Sequence, residues 1–378
     1  MGPRFDALAI EAGAAFRSSG NDESAVRANL EVARQAGLPA LTVPPGGGGM
    51  GANLLDFASY QQLLARRDGA TALVLAMHHM LLGGEAEAGL WPDPQWQELC
   101  AAACRGALVN SAATEPGAGT PSQGGLPATL ATPLDSAGDL AAGAACRIDG
   151  RKTYTTGAPY LTYLRVSARV NQGSSEPFAA RFLVRLPAAG VTIERTWHPA
   201  ALGAAANDDV IFNGTAATLL YREAGRGCEG TAWFQVAIAA TYLGIGFAAH
   251  EAAVAFTRHR VTAAGPVSDR ESVRLRLGRS RARLEVARRN LLETCAEWLE
   301  LAPAARAAFL PDVGLAKVTA VGAAAAAAET AVRLAGAGGF GEDQPFPRLL
   351  LETRAGLSHP PIDDVAHLAL AQRDLADP

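Results

Sequence analysis

Apolar residues recur at helical spacing along the first hundred residues and again beyond about residue 230, and they alternate with polar residues only in between. In the first part, NDESAVRANLEVARQAGL (21–38) opens on Asn/Asp/Ser capping candidates, carries apolar residues along one face and closes around Gly37. LTVPPGGGGMGANLLDFASYQQLLARRDG (41–69) predicts a Pro/Gly loop feeding an amphipathic helix, and ATALVLAMHHMLLGG and PQWQELCAAACRG predict two more helices. No strand alternation occurs before residue 107.

From Gly106 to about Tyr221, β-branched alternation and turn residues take over. AACRIDGRKTYTTGA (144–158) sets Asp149-Gly150 between two strand-like runs, the pattern of a tight hairpin. RFLVRLPAAGVTIERTW and DVIFNGTAATLLY predict further strands, with Asp208 and Asp209 placed at the turn before VIFNG. Beyond Gly230 the helical period returns in the Arg-rich RLRLGRSRARLEVARRNLLETCAEWLE and in GLAKVTAVGAAAAAAETAVRLAG. The Ala323–Ala328 run has low complexity, but alanine is the best helix former, so it predicts a packed helix. VAIAATYLGIGFAA (236–249), at fourteen residues and followed by His250-Glu251, is short for a membrane span and predicts a buried helix. The expected division is a helical domain over 1–108, an all-β domain over 109–224 and a helical domain over 225–378, with no internal repeat.

Composition narrows the function. Hydrophobic residues make up 49% of the chain and charged ones 19%, as suits a globular protein with a large core. A net charge of −4 without a long basic run argues against a reader of nucleic-acid phosphates. The five cysteines show no metal-ligand spacing, so no metal is expected, and Cys100 and Cys104 are expected to be small buried residues on one helix face. With no signal-like N-terminus, the expected location is the reducing cytoplasm. Asp363 and Asp364 are expected to cap the last helix.

Three segments carry candidate chemistry: SAATEPGAGT (111–120), IDGRKTYTTGA (148–158) and AVRLAGAGGFG (331–341). A flavin ring needs donors at its pyrimidine edge and at N5 to support negative charge, and the first segment offers backbone N–H groups and the Thr114 hydroxyl. Pro116 and Gly117 favour a turn that exposes them. In order and spacing the three resemble the Thr-Glu-Pro-Gly-Ala-Gly-Ser, Gly-x-Lys-x-Trp-Ile-Thr-Asn and Gln-Ile-x-Gly-Gly-x-Gly-Phe segments of the acyl-CoA dehydrogenase superfamily. Together with the helix–β–helix order, the resemblance covers essentially the whole chain.

The resemblance implies a mainly α fold with a central β-barrel and a C-terminal four-helix bundle, assembled as a homodimer or homotetramer. It implies a flavoprotein oxidoreductase that uses FAD to oxidise a Cα–Cβ bond of an acyl thioester, carried on coenzyme A or a carrier protein. The implied electron partner is an electron-transfer flavoprotein or a flavin reductase. By the same resemblance Ser111, Ala113 and Thr114 line the flavin's pyrimidine side, Tyr154 stands at the stacking Trp and Thr156 near N5. Thr120 stands at a substrate-side Ser near the phosphopantetheine. Gly336, Gly338 and Gly339 match a turn that approaches the adenosine part of FAD from a neighbouring subunit, and as residues they equally suit a helix C-cap.

The chain departs from the pattern where the family places its base. Of the two positions that carry a catalytic Glu in the family, one falls here on Pro360 and the other near Phe234, a substrate-lining position; neither accepts a proton. Gln235 replaces an Arg beside the second. The family's Arg-x-Thr-Phe-Gly segment is reduced to RHRVTAAGPVSDR (258–270), which admits FMN or loosely bound reduced flavin as well as FAD. His359 instead resembles a histidine of the branch containing dibenzothiophene monooxygenases and nitrososynthases, where a second histidine comes from the N-terminal helices. Here His78 and His79 supply that position, and His359 with His79 is the candidate catalytic pair. The alternatives left open are thus a reduced-flavin monooxygenase or oxidase and a non-catalytic binding member. In its bland role His359 ligates carbonyls at a helix end, and one of His78 and His79 is a core residue.

Overall fold

The helical spacing of the first hundred residues resolves into α1 (Asp6–Ala14), α2 (Glu23–Gln35), α3 (Leu54–Ala65), α4 (Gly69–Ala88) and α5 (Asp93–Cys104) in the computed structural model. It describes residues 4–117, 125–134, 140–171, 176–223, 227–263, 265–341 and 343–376. Side chains satisfy the free N–H groups at three helix starts: Asp22 accepts from Ser24 N, Asn53 forms a reciprocal capping box with Asp56, and Asp68 accepts from Thr71 N.

Strands follow: β1 (Val109–Ala112), β2 (Leu130–Pro133), β3 (Ala145–Thr156), β4 (Tyr163–Val170), β5 (Phe178–Arg185), β6 (Val191–Glu194) and β7 (Asn207–Arg222). They form one sheet in the order β1-β4-β2-β3-β7-β5, with β6 on β7, and a β4–β5 pairing closes the ring into a barrel. The chain then returns to helix in α6 (Cys228–His259), makes a small ribbon from β8 (Val261–Thr262) and β9 (Gly265–Pro266), and ends in α7 (Glu271–Glu300), α8 (Pro303–Ala335), α9 (Phe346–Ala355) and α10 (Asp363–Leu375).

Helix α6 is the axis of the molecule, packed on α3 and α4 on one side and on α7, α8 and α9 on the other. It is long and apolar enough to cross a membrane, but 89% of its apolar window is buried within the fold. Small residues set its spacing. A methyl on Gly244 would lie 2.3 Å from the Gln62 carbonyl oxygen, and one on Gly246 would lie 2.6 Å from Ala324 Cα. The alanine run of α8 therefore has a packing purpose, since it lets α6 and α8 approach at backbone distance.

Four local expectations are corrected. Asp149-Gly150 does not turn a hairpin; β3 runs through it with a register shift against β7. Gly150 has φ 148°, and a Cβ there would come within 2.8 Å of Thr129 Cα, so the glycine serves a bulge beside β2. Asp208 and Asp209 lie inside β7 and are buried, because Asp209 meets Arg151 and Thr153 across the sheet at 2.6 Å each. Cys100 is buried, whereas Cys104 is exposed at the end of α5. At the last helix, Ile362 is the N-cap. Asp363 and Asp364 sit in the first turn, make no cap bond among the described residues, and complement the helix dipole.

Candidate functional site

The loop after β1 is tied to β3 by a buried ion pair. Glu115 accepts from Lys152 Nζ at 2.6 Å, from Thr129 Oγ1 at 2.6 Å and N at 2.8 Å, and from Ala128 N at 2.6 Å. Burial raises the Glu115 carboxyl, but the bonds from Lys152 and Thr129 outweigh it and hold the group at about 2. For Lys152 burial wins over Glu115, and the ammonium falls to about 8. The two partners thus tell opposite stories: the bonds stabilise the anion, and desolvation penalises the cation. The pair fixes geometry more than it adds net stability.

Thr114 O accepts from Thr153 N at 2.9 Å, which ties the loop to β3. The N–H groups of Ala113 and Thr114 and the Thr114 hydroxyl have no partner among the described residues, and both residues are half-buried. Beside them Tyr154 takes φ 54°, rare for a side-chain-bearing residue; the residue is 52% exposed and its ring is edge-on to Trp197 at 5.3 Å. The other two predicted hydroxyls are already engaged. Ser111 Oγ accepts from Arg165 Nη2 at 3.3 Å, and Thr156 Oγ1 donates to Asn207 Oδ1 at 2.6 Å. A group with acceptors along one edge and a flat face fits this loop and ring.

His359 lies between α6 and α8. Its Nε2 is 3.0 Å from the Tyr242 hydroxyl, and its ring meets Phe234 edge-on at 6.4 Å, so two predicted residues come together here. Burial, and then the Lys317 charge, push the ring down to about 4, leaving it neutral near pH 7. The helix-end carbonyls are not capped by His359. Lys317, fully buried on α8, spends its three donors on Gly356 O (3.3 Å), His359 O (2.7 Å) and Pro361 O (3.1 Å).

The two N-terminal histidines differ. His78 Nε2 meets Pro39 O at 2.8 Å and Nδ1 accepts from Val109 N at 3.1 Å, which bolts α4 to the start of β1. His79 is packed between Phe57, Tyr60 and His78, and its Nε2 has no partner among the described residues. Phe57 stacks on Trp233, one residue and about 100° around α6 from Phe234. No contact joins His79 to His359. Thr120 lies outside the described residues.

Gly336, Gly338 and Gly339 form a turn after α8, at the far end of α6 from Phe234. That turn lies against Arg260, whose Nη1 donates to Ala335 O at 3.0 Å, and borders a pocket of about 630 Å³ that includes Phe256, His259 and Gln344. Its neighbour Phe256 lies roughly 33 Å from Phe234 along the axis of α6, at 1.5 Å per residue.

Residues 229–357 match the family described as acyl-CoA dehydrogenase, C-terminal domain. The chain is 31% identical over 350 residues to a Bacillus subtilis (strain 168) protein named "Putative acyl-CoA dehydrogenase YdbM", covering 90% of this chain and 88% of that one. Among solved structures, butyryl-CoA dehydrogenase from Megasphaera elsdenii superposes with a TM-score of 0.83 at 19% identity, over 98% of this chain and 97% of that one. FMN-bound TdsC from Paenibacillus sp. A11-2 superposes with a TM-score of 0.86 at 20% identity, over 97% and 96% of the two chains. At such identities the two structures speak for the fold alone.

Proposed function

Because the chain belongs to the acyl-CoA dehydrogenase family, we propose that it is a flavin-dependent oxidoreductase whose flavin would be held by the Ala113–Thr114 loop and Tyr154. The observation that carries this is the set of donors on Ala113 and Thr114 without a partner among the described residues, next to an exposed aromatic residue at positive φ. When bound, the flavin supplies the electron-accepting chemistry. This chain's residues supply donors for its pyrimidine edge, a ring to stack on it, and a sheet strand pinned by Glu115 and Lys152 so that those donors stay in place. Ser111 and Thr156 frame the loop, each with its hydroxyl held by a neighbour.

In a homodimer or homotetramer, Gly336, Gly338, Gly339 and Arg260 would receive the adenosine half of FAD from a neighbouring subunit. If that contact is weak, FMN or loosely held reduced flavin takes its place. The substrate class of the leading reading is an acyl thioester on coenzyme A or a carrier protein, with Phe234 against the acyl group, Thr120 on the substrate side and an electron-transfer flavoprotein as acceptor.

One observation favours a second reading. Oxidation of a Cα–Cβ bond needs a group to take the α-proton, and Phe234 and Pro360 occupy the two places from which the family supplies one. The titratable ring beside them is His359, so a monooxygenase or oxidase that takes reduced flavin from a reductase is the alternative, with His79 as a more distant contributor. Anaerobic addition of short- and medium-chain acyl-CoA thioesters to flavin-loaded protein tests the first reading, which expects bleaching of the flavin band. Oxygen uptake that requires a flavin reductase, without bleaching by thioesters, supports the second. Absence of both responses contradicts the enzyme assignment and leaves a binding role for the cleft.

A further inference from the structure

We propose that Tyr242 is a positioning residue that locks His359 with its ring proton on Nδ1, so that His359 meets a bound ligand as a hydrogen-bond donor and not as a proton acceptor. The inference rests on the surroundings of His359 and Phe234 being the reaction site, but its test does not.

The argument starts from the buried hydroxyl. Tyr242 is 1% exposed, and His359 Nε2, at 3.0 Å, is the one partner of its hydroxyl among the described residues. A hydroxyl carries one hydrogen, and a neutral imidazole carries one N–H. If Nε2 held the ring proton, the tyrosine oxygen would accept it, and the tyrosine hydrogen would be left buried without an acceptor. If the tyrosine donates, Nε2 accepts, and the ring proton resides on Nδ1. Leaving a buried donor unpaired disfavours the first arrangement by roughly 10- to 100-fold.

The surroundings hold this arrangement. Nδ1 has no partner among the described residues, and the residue keeps part of its surface open beside Phe234. Lys317 on α8 fixes the backbone on both sides of the ring through the carbonyls of Gly356, His359 and Pro361. Its charge, together with burial, opposes a second proton on the ring. Glu352 on α9 is the nearby carboxylate, and it is taken up by Arg348 at 2.9 Å. The tyrosine itself remains a phenol, since burial and then Glu352 raise its ionisation.

A donor at Nδ1 suits a ligand that presents an acceptor oxygen, such as a thioester carbonyl, on which negative charge grows during reaction. It does not suit abstraction of a carbon-bound proton, because the nitrogen not engaged by Tyr242 already carries one.

The test is ¹⁵N NMR of the full chain with ¹⁵N-labelled histidine, recorded near neutral pH without flavin or substrate. The His359 ring is assigned by its loss in His359→Gln. The expected spectrum shows an unprotonated, acceptor-type Nε2 and a protonated Nδ1, with at least a tenfold excess of that tautomer. Tyr242→Phe, which keeps the ring's shape, should collapse that excess toward a mixture. A protonated Nε2 in the unaltered protein, or a tautomer ratio unmoved by Tyr242→Phe, overturns the proposal. The unaltered spectrum decides the first point even if the variant does not fold.

Discussion

Replacing Lys152 by Met removes one partner of a buried ion pair at nearly constant volume. Lys152 is 0% exposed and Glu115 is 6% exposed at the side chain, so the carboxylate cannot turn to bulk water. It keeps three bonds, from Thr129 Oγ1, Thr129 N and Ala128 N, but loses its counter-charge and its 2.6 Å contact to Nζ. Stranding a buried charge typically costs about 3–5 kcal/mol. The three remaining bonds favour the lower end, and relief of the buried ammonium, which burial lowers to about 8 against the pull of Glu115, acts in the same direction. For a chain of 378 residues, an unfolding entropy of about 0.8 kcal/mol per kelvin converts about 3 kcal/mol into a fall of about 4 °C in Tm. The variant should also lose flavin affinity, because the carbonyl of Thr114 and the donors of Ala113 ride on the strand that Lys152 anchors. Differential scanning calorimetry and a flavin titration check both effects. A Tm within 1 °C of the parent with unchanged flavin affinity would refute the view that this pair pins the loop.

Other consequences follow from single contacts. Gly150→Ala should destabilise by about 1–3 kcal/mol, read by thermal unfolding, since φ 148° and the close Thr129 backbone leave no room for Cβ. His78 has its pKa lowered to about 4 by burial, so the unfolded chain takes up a proton before the folded one does. Its stabilising contribution is complete above pH 6.5 and is lost between 6.5 and 4, by about 3 kcal/mol in all. His78→Gln, whose amide can serve both Pro39 O and Val109 N, should flatten acid unfolding over that window in urea titrations. Lys317→Met should orphan the carbonyls of His359 and Pro361, leave Gly356 O only the His359 N–H at 3.4 Å, cost about 3 kcal/mol in denaturant unfolding and displace His359.

The large-scale order was legible because the hydrophobic period itself changes near residues 107 and 230, and because three glycine-containing segments kept their spacing. The errors came where tertiary contact overrode local preference. Asp149-Gly150 has the composition of a hairpin turn, but the partner strands on both sides of β3 pull it straight and use the glycine as a bulge. The hydrogen-bond partners of Asp209, Arg151 and Thr153, come from β3, dozens of residues away, so nothing local marked it as a strand residue. The roles of Lys152 and Lys317 went unseen, although each left a trace. Lys317 is a lone charge amid the small apolar residues of GLAKVTAVG, and such a charge must find buried acceptors. In the His78-His79 pair one ring was expected in the core; the fold buries both and gives the satisfied one to position 78.

The central claim is that the loop at Ala113–Thr114 and the Tyr154 ring hold a flavin. Trp197, 44% exposed and 5.3 Å from Tyr154, is a reporter at that place. Titration of the full chain with FAD and FMN, oxidised and then reduced under anaerobic conditions, should quench tryptophan fluorescence saturably with at least one of them. Tyr154→Ala should weaken that binding roughly 5- to 10-fold, about 1 kcal/mol of stacking, and Trp197→Phe should remove most of the quench without that loss. No saturable binding of any of the four flavin species would contradict the account.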